Sequence, residues 1–233
     1  MTTKNAKLTI AHRGLWNEEF PENSMGAFKR SVDMDIPIEL DVHLLKDKTL
    51  VVFHDDNLKR MTGIDKKIKD CTYEEIENLT LLNTEFKIPK FEEVLDLVAG
   101  RVLLDIEIKF HSKSFDVCRE LTKILDHYDG PFMIKSFSPY HMAWFRFNRP
   151  NLKRGLLVSK LKDADMPKVL KWALFTMKFN FLCKPDFIAF DYAELPNKKV
   201  DKLHQKGMPI YLWTIRDENY EDDFDGIIHE YKK

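Results

Sequence analysis

The sequence has little of what usually marks a compartment or a polymeric partner. Only three cysteines occur in 233 residues, Cys71, Cys118 and Cys183. They are odd in number, widely spaced and without paired metal-ligand spacing, which argues against a disulfide framework or thiolate zinc site and points to reduced packing thiols. Charge of one sign is also missing. Lys and Arg total 37 against 38 Asp and Glu, for a formal net charge of -1, so nothing draws the whole molecule toward nucleic acid or an anionic membrane, and any phosphate recognition must be local. Met1 to Lys7 runs into strand-like Leu8 to Ile10 without the apolar core of a signal peptide. The most apolar region, Val169 to Cys183, is interrupted by Lys171 and Lys178 and is no transmembrane span. A cytoplasmic protein is expected, and the sequence leaves its oligomeric state open.

What is present is a rhythm. Apolar runs of strand length recur at Leu8 to Ala11, Ile38 to Leu45, Val102 to Ile108, Phe132 to Phe137, Arg154 to Val158, Phe187 to Phe190, Ile210 to Ile215 and Gly226 to Ile228. Between them lie segments of helical periodicity such as Phe91 to Val98, Phe115 to Leu125 and Tyr140 to Phe147. This alternation predicts a parallel sheet covered by helices, and eight units predict closure into a (β/α)8 TIM barrel, with residues 1–233 forming one α/β domain. Chemistry in such a barrel sits on the rim at the strands' C-terminal ends.

Two segments break the rhythm. Leu50 to Phe53 follows the second strand too closely to be the next parallel strand, so Asp47-Lys48 is expected to form a two-residue hairpin turn that sets His54 opposite Asp41. Residues of about 55–89, mostly polar with a helical piece at Thr72 to Leu79, read as a small insertion over the rim after the second strand.

Glu39 and Asp41 are two apart on a strand and so share a face, here the barrel interior. Glu107, flanked by Ile106 and Ile108 on a neighbouring strand, adds a third carboxylate. Such a group is costly to bury unless protonated, paired or bound to a cation. Its oxygen ligands suit Mg2+ or Ca2+ rather than zinc; the alternative is a salt-bridge network with Arg13 and Lys109. His12 ends the first strand and His54 ends the hairpin, so two imidazoles converge on the carboxylates and suit general acid/base work near neutral pH. The other histidines, His43, His111, His127, His141, His204 and His229, read as structural. Arg13 and Lys109 bring positive charge to the same rim and imply an anionic, phosphate-bearing substrate, although Lys109 also stands ready to neutralise Glu107.

These residues resemble the glycerophosphodiester phosphodiesterase family. The match runs through His12-Arg13-Gly14, Pro21-Glu22-Asn23-Ser24 with Ala27-Phe28, Ile38-Glu39-Leu40-Asp41-Val42 and Val51-Val52-Phe53-His54-Asp55. It continues more weakly at Arg60 to Gly63, Glu107 to Lys109, Ser136-Phe137, Leu212 to Thr214 and Asp225 to Ile228. The resemblance implies Glu39, Asp41 and Glu107 as ligands of a divalent cation, Mg2+ or Ca2+, His12 and His54 as the acid/base pair, and Arg13 and Lys109 on phosphate. It implies that Glu22 and Asn23 support the site or touch substrate, with Asn23 or Ser24 alternatively an N-cap. Trp213 is expected either against the glycerol moiety or in the barrel core. In such enzymes the glycerol's own hydroxyl is thought to attack phosphorus, leaving a cyclic glycerol phosphate that water opens. Departures include Met34, Pro37 and Lys48 where the family usually has glycine, and His229 to Lys232 after the last strand.

The expected partner is a small glycerophosphodiester, with no nucleic acid. A rival activity is of the lysophospholipase D type on acylated glycerophosphodiesters. It is motivated by a helix at 168–183 whose Trp172, Phe175, Met177, Phe179 and Phe181 among lysines would form either a peripheral membrane lip or an ordinary barrel-covering surface. A barrel that binds phosphodiesters without turnover is the non-enzyme alternative.

Overall fold

The structure is a computed structural model describing residues 7–110, 114–161, 167–217, 220 and 222–231. Met1 to Ala6, His111 and Lys232 fall outside these residues. In chain order the elements begin β1 (Leu8–Ala11), α1 (Met25–Asp33), β2 (Ile38–Leu44), β3 (Leu50–Val52), α2 (Lys59–Thr62), α3 (Tyr73–Ile76), α4 (Phe91–Val98), β4 (Leu104–Ile108) and α5 (Asp116–Leu125). They continue with β5 (Phe132–Ser136), α6 (Pro139–Asn148), β6 (Arg154–Val158), α7 (Lys168–Phe175), α8 (Asn180–Cys183), β7 (Phe187–Asp191), α9 (Lys198–His204), β8 (Ile210–Ile215) and β9 (Gly226–His229).

The strand order β1-β9-β8-β7-β6-β5-β4-β2 closes through a β1–β2 pairing at Ala11 and Ile38, giving an eight-stranded parallel (β/α)8 TIM barrel. Period-two alternation sorts the strands' side chains. Leu40, Val42, Ile106, Ile108 and Ile134 join the large cluster beneath the helices. Ile10, Met133, Leu157, Phe187, Tyr211 and Ile228 fill the interior. Glu39, Asp41, Asp105, Glu107 and Lys135, alternating with that outer set, therefore face the interior. Local signals fix the helix starts. Ser24 caps α1 by accepting from the Ala27 amide, Ser138 caps α6 with Pro139 in the first turn, and Asn197 caps α9.

The hairpin departs from expectation by one residue. Val42 pairs with Val52 and His43 with Val51, and the Phe53 amide bonds the Asp41 carbonyl at 2.9 Å, so Phe53 and not His54 lies opposite Asp41. The cause is a longer turn. The Leu45 amide bonds the Thr49 carbonyl and the Lys48 amide bonds the Leu45 carbonyl, with Lys48 left-handed at φ 70 in the position a glycine commonly fills. His54 follows the paired residues, so the shift does not carry it outside.

The segment expected over the rim packs Leu58, Met61, Ile68, Cys71, Ile76, Leu81 and Ile88 against Leu45, Val51 and Phe53 of the hairpin, a small core distinct from the barrel's. The single helix expected at 168–183 is instead two, α7 and α8, separated where Met177 turns left-handed at φ 53. The described cysteines are all free and buried, and no helix among the described residues is long and apolar enough to cross a membrane.

Candidate active site

The loop after β1 brings His12, Arg13 and Gly14 over the barrel mouth by two successive left-handed residues. Gly14 (φ 79) has no room for a side chain, since a Cβ would sit 3.0 Å from the Ala27 carbonyl carbon and from Phe28. Arg13 (φ 58) adopts the same conformation despite its side chain. Its neighbours hold it there: its amide donates to Glu39 Oε2 at 3.0 Å, its carbonyl accepts from the Asn23 amide at 3.0 Å, and its guanidinium meets Glu22 Oε1 at 2.7 Å and Asp41 Oδ2 at 3.5 Å. Backbone strain fixed by this many partners is typical of functional loops.

Glu39, Asp41 and Glu107 each offer an oxygen within 4.8 Å of the others, all buried. Lys109 Nζ lies 2.8 Å from both Asp41 and Glu107, so the salt-bridge network read as an alternative is formed by the same carboxylates that could hold a metal. Sequence reasoning missed a second buried cation. Lys135, 1% exposed, reaches Glu39 at 3.1 Å and Asp105 at 2.6 Å. Strand pairing, which aligns Asp41 with Glu107 and Glu107 with Lys135, is what puts it among the acids.

Burial, with Asp41 and Glu107 beside it, pushes the Glu39 carboxyl up to about 7 against the pull of Lys135. Burial also works to raise Asp41, but Lys109, His54 and Arg13 overcome it and hold Asp41 well below the usual carboxylate range. Buried Glu39, Asp41, Asp105 and Glu107 face Arg13, Lys109 and Lys135, and Arg13 is shared with Glu22. Negative charge is therefore in excess, and burial raises both Glu39, one of the three clustered carboxylates, and Asp105 beside Lys135. An all-oxygen donor set short of positive charge fits a hard divalent cation, and each carboxylate keeps lone pairs beyond those its lysine or amide partners use.

His12 and His54 flank this cluster. Burial first, then Arg13, Lys135 and His54, hold His12 well below its ordinary value despite Asp41. The effects of His54 on both His12 and Asp41 place the two imidazoles in one field. His12 Nδ1 makes no hydrogen bond and lies 3.9 Å from Glu230 Oε2. His54 is held at two atoms: Nδ1 meets Asp55 Oδ1 at 2.7 Å, and its carbonyl receives His43 Nε2 at 3.2 Å. Burial raises Asp55, but hydrogen bonds from His54 and Arg60 dominate and keep it ionised, so His54 Nδ1 is the donor in their hydrogen bond. His43, His141 and His229 are buried and bonded to backbone carbonyls, as structural histidines are.

Of the remaining candidates, Asn23 donates from Nδ2 to Asp41 Oδ2 at 2.8 Å, while Ser24 is the N-cap. Glu22 lies between Arg13 and Arg60. Trp213 packs edge-on against Phe137 with ring centroids 5.7 Å apart, and its Nε1 is buried without a partner. Arg60 was not singled out for a role. From the rim segment it grips Glu22 through both terminal nitrogens (2.6 and 3.1 Å) and Asp55 through Nε and a terminal nitrogen (2.6 and 3.0 Å). It thereby joins the carboxylate behind Arg13 to the one behind His54. Arg60→Ala is expected to lower kcat about ten- to a hundredfold with little change in KM, and Arg60→Lys to restore little, because an ammonium cannot hold two carboxylates by forked pairs. Steady-state kinetics of both variants check this, and full activity of Arg60→Lys would reduce the guanidinium to a surface charge.

A cavity of about 700 Å3 opens beside His54, Asp55, Glu107 and Lys109. Its far wall is apolar and includes Phe110, Phe137, Tyr140, Leu170, Leu174 and Phe179.

Comparison with known proteins bears on the family and the fold. Residues 12–229 match the model of the Glycerophosphoryl diester phosphodiesterase family. A glycerophosphodiester phosphodiesterase of Caldanaerobacter subterraneus subsp. tengcongensis is 37% identical over 95% of this chain and 93% of its own. A human lysophospholipase D is 46% identical over 68 residues only, 29% of this chain and 21% of its own. A phosphodiesterase of Oleispira antarctica, solved in complex with the product sn-glycerol-3-phosphate, superposes with a TM-score of 0.80 at 22% identity over 95% of this chain and 92% of that one, which speaks to the fold.

Proposed function

The chain belongs to the glycerophosphoryl diester phosphodiesterase family and is a phosphoric diester hydrolase, and from that premise we propose that it cleaves glycerophosphodiesters to glycerol phosphate and an alcohol by His12/His54 acid–base catalysis beside a carboxylate-held divalent cation. The observation that carries the reading is the cluster of Glu39, Asp41 and Glu107 oxygens within 4.8 Å, set among two histidines and fixed cations. Glu39, Asp41 and Glu107 would hold Mg2+ or Ca2+, which when bound supplies charge to the phosphoryl oxygens. Arg13 and Lys109 add positive charge on the same side.

His12, kept neutral by burial and neighbouring cations, takes the proton from the glycerol hydroxyl next to the ester as that oxygen bonds to phosphorus. His54, which enters this step protonated at both ring nitrogens with its Nδ1–H held by Asp55, gives the Nε2 proton to the departing alcohol oxygen and is left neutral. Water then opens the cyclic glycerol phosphate with the roles exchanged. Because His12 acts only while neutral and its titration is displaced downward, the acid-side fall of kcat/KM at saturating cation belongs well below pH 6.5.

The apolar cavity beside His54 favours a second substrate reading, an acylated glycerophosphodiester whose hydrocarbon chain lies along Phe137, Leu174 and Phe179. The resemblance to part of a human lysophospholipase D agrees with it. One panel tests both. Glycerophosphocholine and monoacyl glycerophosphocholines are incubated with Mg2+ or Ca2+, and released choline and glycerol phosphate species are measured. Release from glycerophosphocholine is expected, and faster release from the acyl compounds supports the second reading. Release from neither would remove the function.

A further inference from the structure

Residues 167–185 contain four lysines (Lys168, Lys171, Lys178 and Lys184) and no acidic residue, in a chain whose charges otherwise balance. The same stretch carries Val169, Leu170, Trp172, Leu174, Phe175, Phe179 and Phe181. In the structure α7 has no buried side chain. Its apolar residues divide between two directions. Leu170 and Leu174, four apart, line the active-site cavity with Phe179, while Val169 (72% exposed), Trp172 (55%) and Phe181 of α8 (75%) face solvent. Lys178 Nζ stands 5.5 Å from the Trp172 ring centre, and Lys168 and Lys184 are exposed on the same segment.

A short helix that leaves a tryptophan, a valine and a neighbouring phenylalanine uncovered, with exposed Lys168, Lys178 and Lys184 around them, suits a surface that is both apolar and negatively charged. We propose that the α7–α8 face docks on an anionic lipid surface, with Val169, Trp172 and Phe181 entering the headgroup boundary and Lys168, Lys178 and Lys184 meeting lipid phosphates. A second copy of the chain fits poorly, since an isologous contact would oppose exposed Lys168, Lys178 and Lys184 to the same three lysines. The inner side of the same helix lines the cavity that reaches His54, so docking sets the mouth of the active site against the surface. This holds whether the substrate is acylated or not, and it is read by binding rather than turnover.

The test uses the full chain and vesicles of phosphatidylcholine alone or mixed equally with phosphatidylglycerol, with sedimentation of bound protein as the readout. Binding to the anionic vesicles is expected, with much weaker binding to phosphatidylcholine and loss at high salt. Trp172→Ala and Phe181→Ala should each lower the partition coefficient about tenfold. Lys168→Gln and Lys178→Gln should each lower it about fivefold. Turnover of glycerophosphocholine in solution should be unchanged in Trp172→Ala and Phe181→Ala, which separates loss of docking from loss of folding. Absence of binding to anionic vesicles at low salt would overturn the proposal, as would binding that these substitutions leave intact. A wild-type dimer that Phe181→Ala dissociates, without vesicle binding, would overturn it in favour of a second copy.

Discussion

His12→Ala and His54→Ala should each lower kcat on glycerophosphocholine by two or more orders of magnitude, and the double variant should be little slower than either single. Positioned proton transfer contributes about a hundred- to ten-thousandfold, and residues acting on one proton inventory lose their effect together rather than in sequence. The two imidazoles sit in different surroundings, which suit the different tasks proposed for them. Burial and the charges of Arg13 and Lys135 keep His12 neutral, and ionised Asp55 accepts from His54 Nδ1 and orients the ring. Asp55→Asn should therefore cost activity through His54 while leaving the acid limb of His12 in place. Losses that multiply in the double variant, or a mild loss in either single, would break the acid–base pairing.

Removal of divalent cation should abolish hydrolysis, and Mg2+ or Ca2+ should restore it, with a pH dependence that Glu39 sets. A carboxyl pushed up to about 7 is protonated at lower pH, so protons compete with metal and apparent affinity should fall as pH drops through about 7. The sign for stability follows from the same shift. Because its folded value is raised, Glu39 favours the metal-free fold at low pH, and that contribution is lost as pH rises through about 7. Cation should thus raise the thermal midpoint more on the alkaline side of 7 than on the acid side, and Glu39→Gln should flatten that difference while removing most activity. Glu107→Ala should lose far more activity than Glu22→Ala, whose carboxylate serves Arg13 and Arg60. Full turnover by a verified metal-free preparation would leave only the salt-bridge network as the purpose of the carboxylates.

The elements that were legible in the sequence are those whose signal is local and periodic. Alternation located the eight barrel strands to within about two residues, and the spacing of Glu39 and Asp41 correctly placed both inside. The hairpin register was not legible, because the choice between a two-residue and a longer turn rests on Lys48 adopting φ 70, a cost that tertiary contacts override. Lys135 was passed over because a lysine in a strand reads as a solvent-facing residue. Only the alignment of β5 against β4 puts it among acids. Arg60 was beyond reach for a different reason: one partner, Glu22, is 38 residues away in the chain, so no local pattern carries the contact. The break between α7 and α8 has no helix-breaking proline or glycine to announce it, since the left-handed residue is Met177.

Barrel closure has a consequence for self-association. A closed ring presents no open row of backbone donors and acceptors, so among the described strands only β3, which pairs with β2 alone, could recruit a strand from another molecule. That edge is covered by the chain's own return. The Val52 amide donates to the Pro89 carbonyl at 2.9 Å, and Val51 bridges to Lys90 in antiparallel fashion. Proline has no amide to offer an incoming strand, and lysine brings a charge to the seam. The residues that lead back from the rim segment into α4 thus also guard the one open edge among the described strands against pairing with another chain.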